Sequence, residues 1–388
     1  MSDVTISESV KYIGVDDATL DLFEGQYVVP NGISYNSYVI LDERIAVMDT
    51  VDSRKVGEWR DNLQKALAGR TPDYLIISHM EPDHTAGIQM FTELYPNAKL
   101  VGSAKAVSML PQFFEISDLA DRAIAVKEGE TLSLGSHTLT FLMAPMVHWP
   151  EVMVEYEQSE KILFSADGFG KFGTLDTEED WTCEARRYYF NIVGKFGAPV
   201  QTLLKKAASL DIYTICPLHG PILTENLEYY IGKYQLWSSY EPEDDGVLVA
   251  YASIHGNTRK AAERMKEILE AKGAKKVAIT DLSRDDMAEA VEDAFRYDKL
   301  ILAASSYDGS VFPCMQMFLN KLIHKNYQKR TVGLIENGSW APCAARVMKG
   351  MLEGMKELTL CDKIVSIRSS VKESDIQDME ELAKEILR

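Results

Sequence analysis

The hydrophobic pattern changes rhythm near residue 245. Beyond it, the apolar runs "GVLVAYAS", "KKVAITDL", "DKLILAAS", "RTVGLIENG" and "DKIVSIRSS" alternate with amphipathic stretches such as "NTRKAAERMKEILEAKG" and "SDIQDMEELAKEILR". Unbroken apolar runs fit strands buried on both faces, and five strands alternating with helices predict a doubly wound parallel sheet. Before residue 245 the runs are shorter. "SYVILDERIAVMDT", "DYLIIS", "KLVGSA", "HTLTFLMAP" and "KILFSAD" are bounded by turns or broken by polar residues, with helical stretches such as "RKVGEWRDNLQKAL" between some of them. That mixture predicts sheets with helices packed outside, an α/β or α+β sandwich. Between the two regimes lies "SSYEPEDDG" at 238–246, polar and acidic with a proline and a glycine. It reads as a linker between domains at 1–243 and 247–388.

Composition narrows the function classes. A chain of 388 residues is too long for one ordinary core and suits two domains. Its formal net charge of −18 argues against a nucleic-acid partner and against an anionic membrane face, both of which call for basic surface. No apolar run reaches the roughly 18 residues of a spanning helix. The opening "MSDVTISESVKYIG" lacks the basic and apolar regions of a signal peptide. The expectation is a cytoplasmic protein. Five widely spaced cysteines without a C-x-x-C pair offer no local framework for a thiolate zinc site, a rubredoxin-type iron centre or an iron–sulfur cluster. They read as reduced thiols.

The candidate chemistry sits where apolar runs end. "YLIISHMEPDHTAG" passes from Tyr74–Ile77 directly into His79, Glu81, Asp83 and His84. With seven histidines and 59 acidic residues in the chain, a chance match to His-x-acid-x-acid-His is expected about three times in a thousand such sequences. Three further runs end on a ligand-type residue: "TLTFLMAPMVH" on His148, "KILFSAD" on Asp167 and "DIYTICPLH" on His219. A lone His148 or His219 would more often be a structural histidine, and Asp167 before Gly168 a turn residue. Beside the first cluster they join it instead. "VILDERIAVMD" also ends on an acid, Asp49, but has no ligand-type neighbours and is left out. Seven candidates with three carboxylates exceed the needs of one tetrahedral zinc and suit two ions sharing a bridging carboxylate, a mixture iron accepts.

The second half carries a different signal. "YASIHGNTRKAAERM" places Ser253, Ile254, His255, Gly256, Asn257 and Thr258 between a strand and a helix. Backbone N–H groups, the helix N-terminus and two hydroxyls there make a phosphate nest. Neither G-x-G-x-x-G nor a P-loop is present, so one phosphate and a mononucleotide are expected. The loops after the third and fourth strands, "ASSYDGSVFP" and "ENGSWAPC", add Ser305, Ser306, Tyr307, Asp308 and Gly309, then Asn337, Gly338, Ser339 and Trp340. In flavodoxin-like strand order these three loops surround one crevice, where Tyr307 and Trp340 could stack on a flat ring.

His79-x-Glu81-x-Asp83-His84, followed by His148, Asp167 and His219, looks like the metallo-β-lactamase-like fold with Glu81 in place of a histidine of its hydrolytic members. In that form it resembles the flavodiiron proteins. Ser253-x-His255-Gly256-Asn257-Thr258 resembles the FMN phosphate loop of flavodoxins, so the likeness spans essentially the whole chain. It implies a metallo-β-lactamase-like αββα sandwich followed by a flavodoxin-like domain. It assigns His79, Glu81 and His148 to one iron, Asp83, His84 and His219 to the other, and Asp167 to the bridge. The implied activity is reduction of O2 to water or of NO to N2O at a carboxylate-bridged diiron centre fed by FMN. The absence of C-x-x-C implies a separate electron donor, for which the likeness suggests rubredoxin or a reduced deazaflavin. The likeness also implies a head-to-tail homodimer or a dimer of dimers. Two other readings compete: a dizinc hydrolase with an attached electron-transfer domain, and a flavodoxin-like electron carrier with a scaffold domain.

Overall fold

The structure is a computed structural model that describes residues 6–388. The described residues divide into two compact units, those up to 189 with 198–235, and 190–197 with 236–388.

The first unit is built on two sheets. One has six strands in the order Val10–Tyr12, Tyr38–Ile40, Ala46–Met48, Tyr74–Ile77, Lys99–Ser103 and Ala123–Val126. The other has five, in the order Thr131–Ser133, Thr138–Met143, Met153–Glu157, Ile162–Phe164 and Thr214–Cys216. Tyr38, Met48, Ile76 and Val101 of the first sheet meet Leu139, Phe141, Met153 and Phe164 of the second in one buried cluster. The sheets therefore face each other across the core, as their half-apolar strands require. "SYVILDERIAVMDT" is two antiparallel strands, with Tyr38 opposite Met48 and the polar "LDER" as the turn. The helix Val56–Leu67 buries Trp59, Leu63 and Leu67, and the Trp59 indole donates to Ser37 Oγ at 2.9 Å.

The second unit is a parallel sheet in the order Val277–Asp281, Asp244–Ala252, Tyr297–Tyr307, Thr331–Asn337, Thr359–Ile367. Its central strands are buried along nearly their whole length, which is why they read as continuous apolar runs. The helices Asn257–Ala271 and Glu373–Ile386 close one face through Ala261, Met265, Leu269, Met379 and Leu382. Most of the acidic stretch at 238–246 is structured within this unit. A strand starts at Asp244, whose carboxylate pairs with Lys276 at 2.6 Å and Arg296 at 2.7 Å. Asp245 pairs with Lys275 at 2.6 Å and Lys299 at 3.1 Å. Negative charge at this edge is matched by lysines and an arginine from the neighbouring strands and helix.

Candidate functional site

Four connections after strands of the first unit converge. His79 and Glu81 follow the strand Tyr74–Ile77, and Asp83 and His84 sit on the short helix Pro82–Thr85 that comes next. His148 lies between Thr138–Met143 and Met153–Glu157, Asp167 after Ile162–Phe164, and His219 after Thr214–Cys216. The His219 loop is pinned from below. The Asn36 amide donates to the carbonyls of Pro217 and Gly220 at 2.8 Å each, and the Tyr38 hydroxyl donates to Pro217 at 2.6 Å. Gly220 has φ +79°, and a Cβ there would stand 2.8 Å from Lys171 Cγ, so the turn past His219 requires glycine.

The ligand-type atoms fall into two groups, His79, Glu81, His148 and Asp167 in one and Asp83, His84 and His219 in the other. In the first, Glu81 Oε2 is 3.0 Å from Nε2 of both His79 and His148. Asp167 Oδ2 is 3.3 Å and 3.2 Å from the same two nitrogens. In the second, Nε2 of His84 and His219 are 3.1 Å apart, and Asp83 Oδ2 is 3.5 Å and 3.3 Å from them. An ion with bonds of about 2.0–2.2 Å holds adjacent ligand atoms roughly 3.0–3.5 Å apart. Asp167 faces both groups, because its Oδ1 lies 3.3 Å from His84 and 3.9 Å from His219.

Hydrogen-bond arithmetic says what the cluster accepts. Both oxygens of Asp83 and of Asp167 are buried without a well-formed hydrogen bond, a costly arrangement unless something electropositive completes it. His219 Nδ1 donates to the Ser34 carbonyl at 2.7 Å, which leaves Nε2 as a lone pair aimed into the cluster. His79 Nδ1 is held by Glu151 at 2.9 Å with the same effect. These are the outer partners that fix a metal-binding imidazole. Burial would lower the pKa of His79 and His148, but Asp167 and Glu81 outweigh it, raising His79 well above the histidine range and His148 to about 9. Burial would likewise raise Asp167, and the surrounding histidines hold it well below the carboxylate range instead. The carboxylates call for positive charge, which protons supply on histidine and metal ions would supply by replacing them. The residues fit a pair of metal ions.

The mouth of the cluster is a cleft of about 310 Å³ between Phe23, Tyr35 and Asp83. Rings of Phe23, Tyr35 and Tyr188 pack around His219 at centroid distances of 5.4, 5.9 and 5.6 Å, shielding it from water. None of these rings is legible as a site residue in sequence. Glu151 was legible in principle, three positions after His148, and was missed. Asp49, set aside for want of ligand-type neighbours, lies one layer behind: its carboxylate accepts from Ser78 N at 2.8 Å and Ser78 Oγ at 2.6 Å, just before His79. Burial pushes its pKa up to about 6.

In the second unit a crevice of about 510 Å³ opens at the carboxyl ends of the strands. All fifteen residues expected there line it except Gly256, which stands behind as the left-handed cap of the helix Asn257–Ala271, at φ +88°. Ala341, Cys343 and Ser369 line it as well. Ser306 Oγ accepts from the N–H groups of Cys343 and Ala344 at 2.8 and 3.1 Å, so it also joins two of the loops. Trp340 is 88% exposed and Tyr307 44% exposed at the rim. Two aromatic faces left in water beside a crevice of this size, with hydroxyls and a helix N-terminus at its floor, fit a flat ring carrying a phosphate.

Residues 33–220 match the family described as "ODP family beta lactamase", and residues 248–361 match the flavodoxin domain family. Among curated relatives is a nitric oxide reductase of Moorella thermoacetica, 26% identical over 394 residues that cover 99% of this chain and 98% of that protein. Among solved structures, the rubredoxin:oxygen oxidoreductase of Desulfovibrio gigas superposes with a TM-score of 0.91 at 24% identity, covering 99% of this chain and 98% of that one. A flavo-diiron protein variant of Thermotoga maritima superposes with a TM-score of 0.88 at 24% identity over 98% and 96%. The fold and the matches define the class: a β-lactamase-like domain followed by a flavodoxin domain. Solved structures of that same domain composition, with which the chain shares its fold, include flavodiiron proteins.

Proposed function

We propose that the protein reduces dioxygen to water, nitric oxide to nitrous oxide, or both, using two irons in the first unit and FMN in the second. The observation that carries this reading is the placement of Asp167, one carboxylate oxygen turned to each of two ligand groups, in a chain that also holds a flavodoxin-type crevice. Bound there, two irons and one flavin would store four electrons between them, and the metal pair would polarise a diatomic substrate. His79, Glu81 and His148 would hold one ion, Asp83, His84 and His219 the other, and Asp167 both. The chain's own part is positional. Glu151 and the Ser34 carbonyl keep the imidazole lone pairs pointed inward, and the aromatic rings around His219 limit water.

Ser253 to Thr258 would take the FMN phosphate, with Tyr307 and Trp340 against the ring system. A separate electron donor would feed the flavin, rubredoxin or a reduced deazaflavin. Two copies would pair head to tail, the closed two-fold arrangement being the commonest in oligomers. A cytoplasmic location is supported by five widely spaced cysteines without a C-x-x-C pair, and among the described residues no helix is long and apolar enough to cross a membrane.

Anaerobic metal and flavin analysis tests this reading. Two irons and one FMN per chain are expected. Two zincs would favour the hydrolase, and FMN without metal the electron carrier.

A further inference from the structure

The crevice proposed to receive FMN is poor in positive charge. Of the described side chains that line it, His255 alone can become a cation; Asp308 is the carboxylate among them, and Tyr307 and Cys343 are the other ionisable groups. Among the described residues no lysine or arginine lines it. Arg259, one turn along the helix from His255, is engaged with Glu263 at 2.8 Å.

The remaining groups at the phosphate end are neutral donors. Ser253 Oγ accepts from Gly256 N at 3.1 Å, so its own proton is available. The hydroxyls of Thr258 and Ser305, both buried, share one hydrogen bond at 2.7 Å. Two hydroxyls in one bond leave one O–H free, whichever of them donates. A phosphomonoester carries close to two negative charges above about pH 6. Neutral donors and a helix end can hydrogen-bond that group, but they supply no whole charge against it.

Resting on the FMN reading, we propose that His255 is the charged partner of the cofactor phosphate and makes flavin retention depend on pH. Imidazole is the side chain whose charge changes in the neutral range. An imidazolium facing a dianion holds its proton to higher pH than it does alone. Affinity is then greatest where the imidazole is charged and falls as pH rises and that charge is lost. Below about pH 6 the phosphate itself gains a proton, so the informative range lies above it.

The test is equilibrium binding of FMN and of riboflavin to the full chain, followed by flavin fluorescence from pH 6.5 to 9. Wild type should lose about tenfold in FMN affinity across that range, the size of one charge-assisted hydrogen bond at a partly exposed site. His255→Asn should bind FMN at every pH as weakly as wild type does at pH 9. His255→Arg should bind it as tightly as wild type does at pH 6.5 and lose the slope. Riboflavin affinity should be unaffected by pH or variant, which also reports an intact crevice. Asp308, Tyr307 and Cys343 are unchanged in both variants, so a slope they cause would persist. Tight FMN binding in which His255→Asn follows wild type at every pH overturns this inference and leaves the FMN reading standing. Failure to bind FMN at any pH overturns both.

Discussion

Asp167 is the residue on which the first unit depends, because each of its buried oxygens faces a different ligand group. Asp167→Ala should therefore lose both metals together, whereas His84→Ala should be milder. Elemental analysis of the purified variants checks this, and two retained irons in Asp167→Ala would remove the bridging role. Glu151→Gln keeps the shape but weakens the grip on His79 Nδ1 and should lower metal affinity about 10- to 100-fold, measured by competition with a chelator. Away from the site, His137 stands between Asp42 and Glu160, with its ring nitrogens 2.8 Å and 3.0 Å from their oxygens. Only an imidazolium donates to both. Burial would lower the pKa of His137, but Glu160 and Asp42 raise it. The sign follows: stabilisation is fully present below the unfolded histidine value of about 6.5 and is lost as pH rises through the elevated folded value. His137→Gln should cost about 1–3 kcal/mol at neutral pH and remove that slope. Denaturation midpoints measured across pH decide it.

At the scale of elements, the site occupies strand ends, and strand ends were the part of the sequence that could be read. Each apolar run fixed where a strand stopped, and the polar residue after it was exposed to view by contrast. The second unit was the more legible, since strands buried on both faces leave long apolar runs. The small strands Val15–Asp17, Leu22–Phe23, Tyr27–Val28 and Ile33–Tyr35 were not legible, being two or three residues long with no repeat of their own. Yet they bring Phe23 and Tyr35 to the cleft. The Ser34 carbonyl escaped for another reason: its role depends on approach across the fold, which spacing along the chain does not encode. The same holds for Arg330. Its buried guanidinium donates to the carbonyls of Tyr297 at 2.7 Å, Tyr240 at 2.7 Å and Gln328 at 3.0 Å, with a further contact to Phe295. It thereby ties the former "linker" to the parallel sheet within the second unit. Arg330→Leu strands those acceptors and should destabilise that unit by about 2–4 kcal/mol. A hydrogen-exchange profile in which the strand Asp244–Ala252 kept full protection would contradict it.

For the whole molecule, the central claim is that one chain carries a two-metal centre and a flavin that together deliver four electrons. The two sites lie in separate compact units, and the proposed head-to-tail pairing lets one copy's flavin serve the other copy's metals. Mixing a flavin-deficient variant, Ser253→Asp, with the metal-deficient Asp167→Ala and refolding them together should then restore turnover. Verified mixed dimers that stay inactive would confine electron flow to single chains. The most direct measurement of the central claim is an anaerobic electron count. The holoprotein is titrated with a reductant to completion and then reoxidised with measured portions of O2, while hydrogen peroxide is assayed, and separately with NO. The account predicts four electrons taken up per chain. They should be returned to one O2 without peroxide, to four NO giving two N2O, or to both gases in those ratios. Uptake of only two electrons per chain, with peroxide released and no N2O formed, would show the flavin acting alone and contradict it.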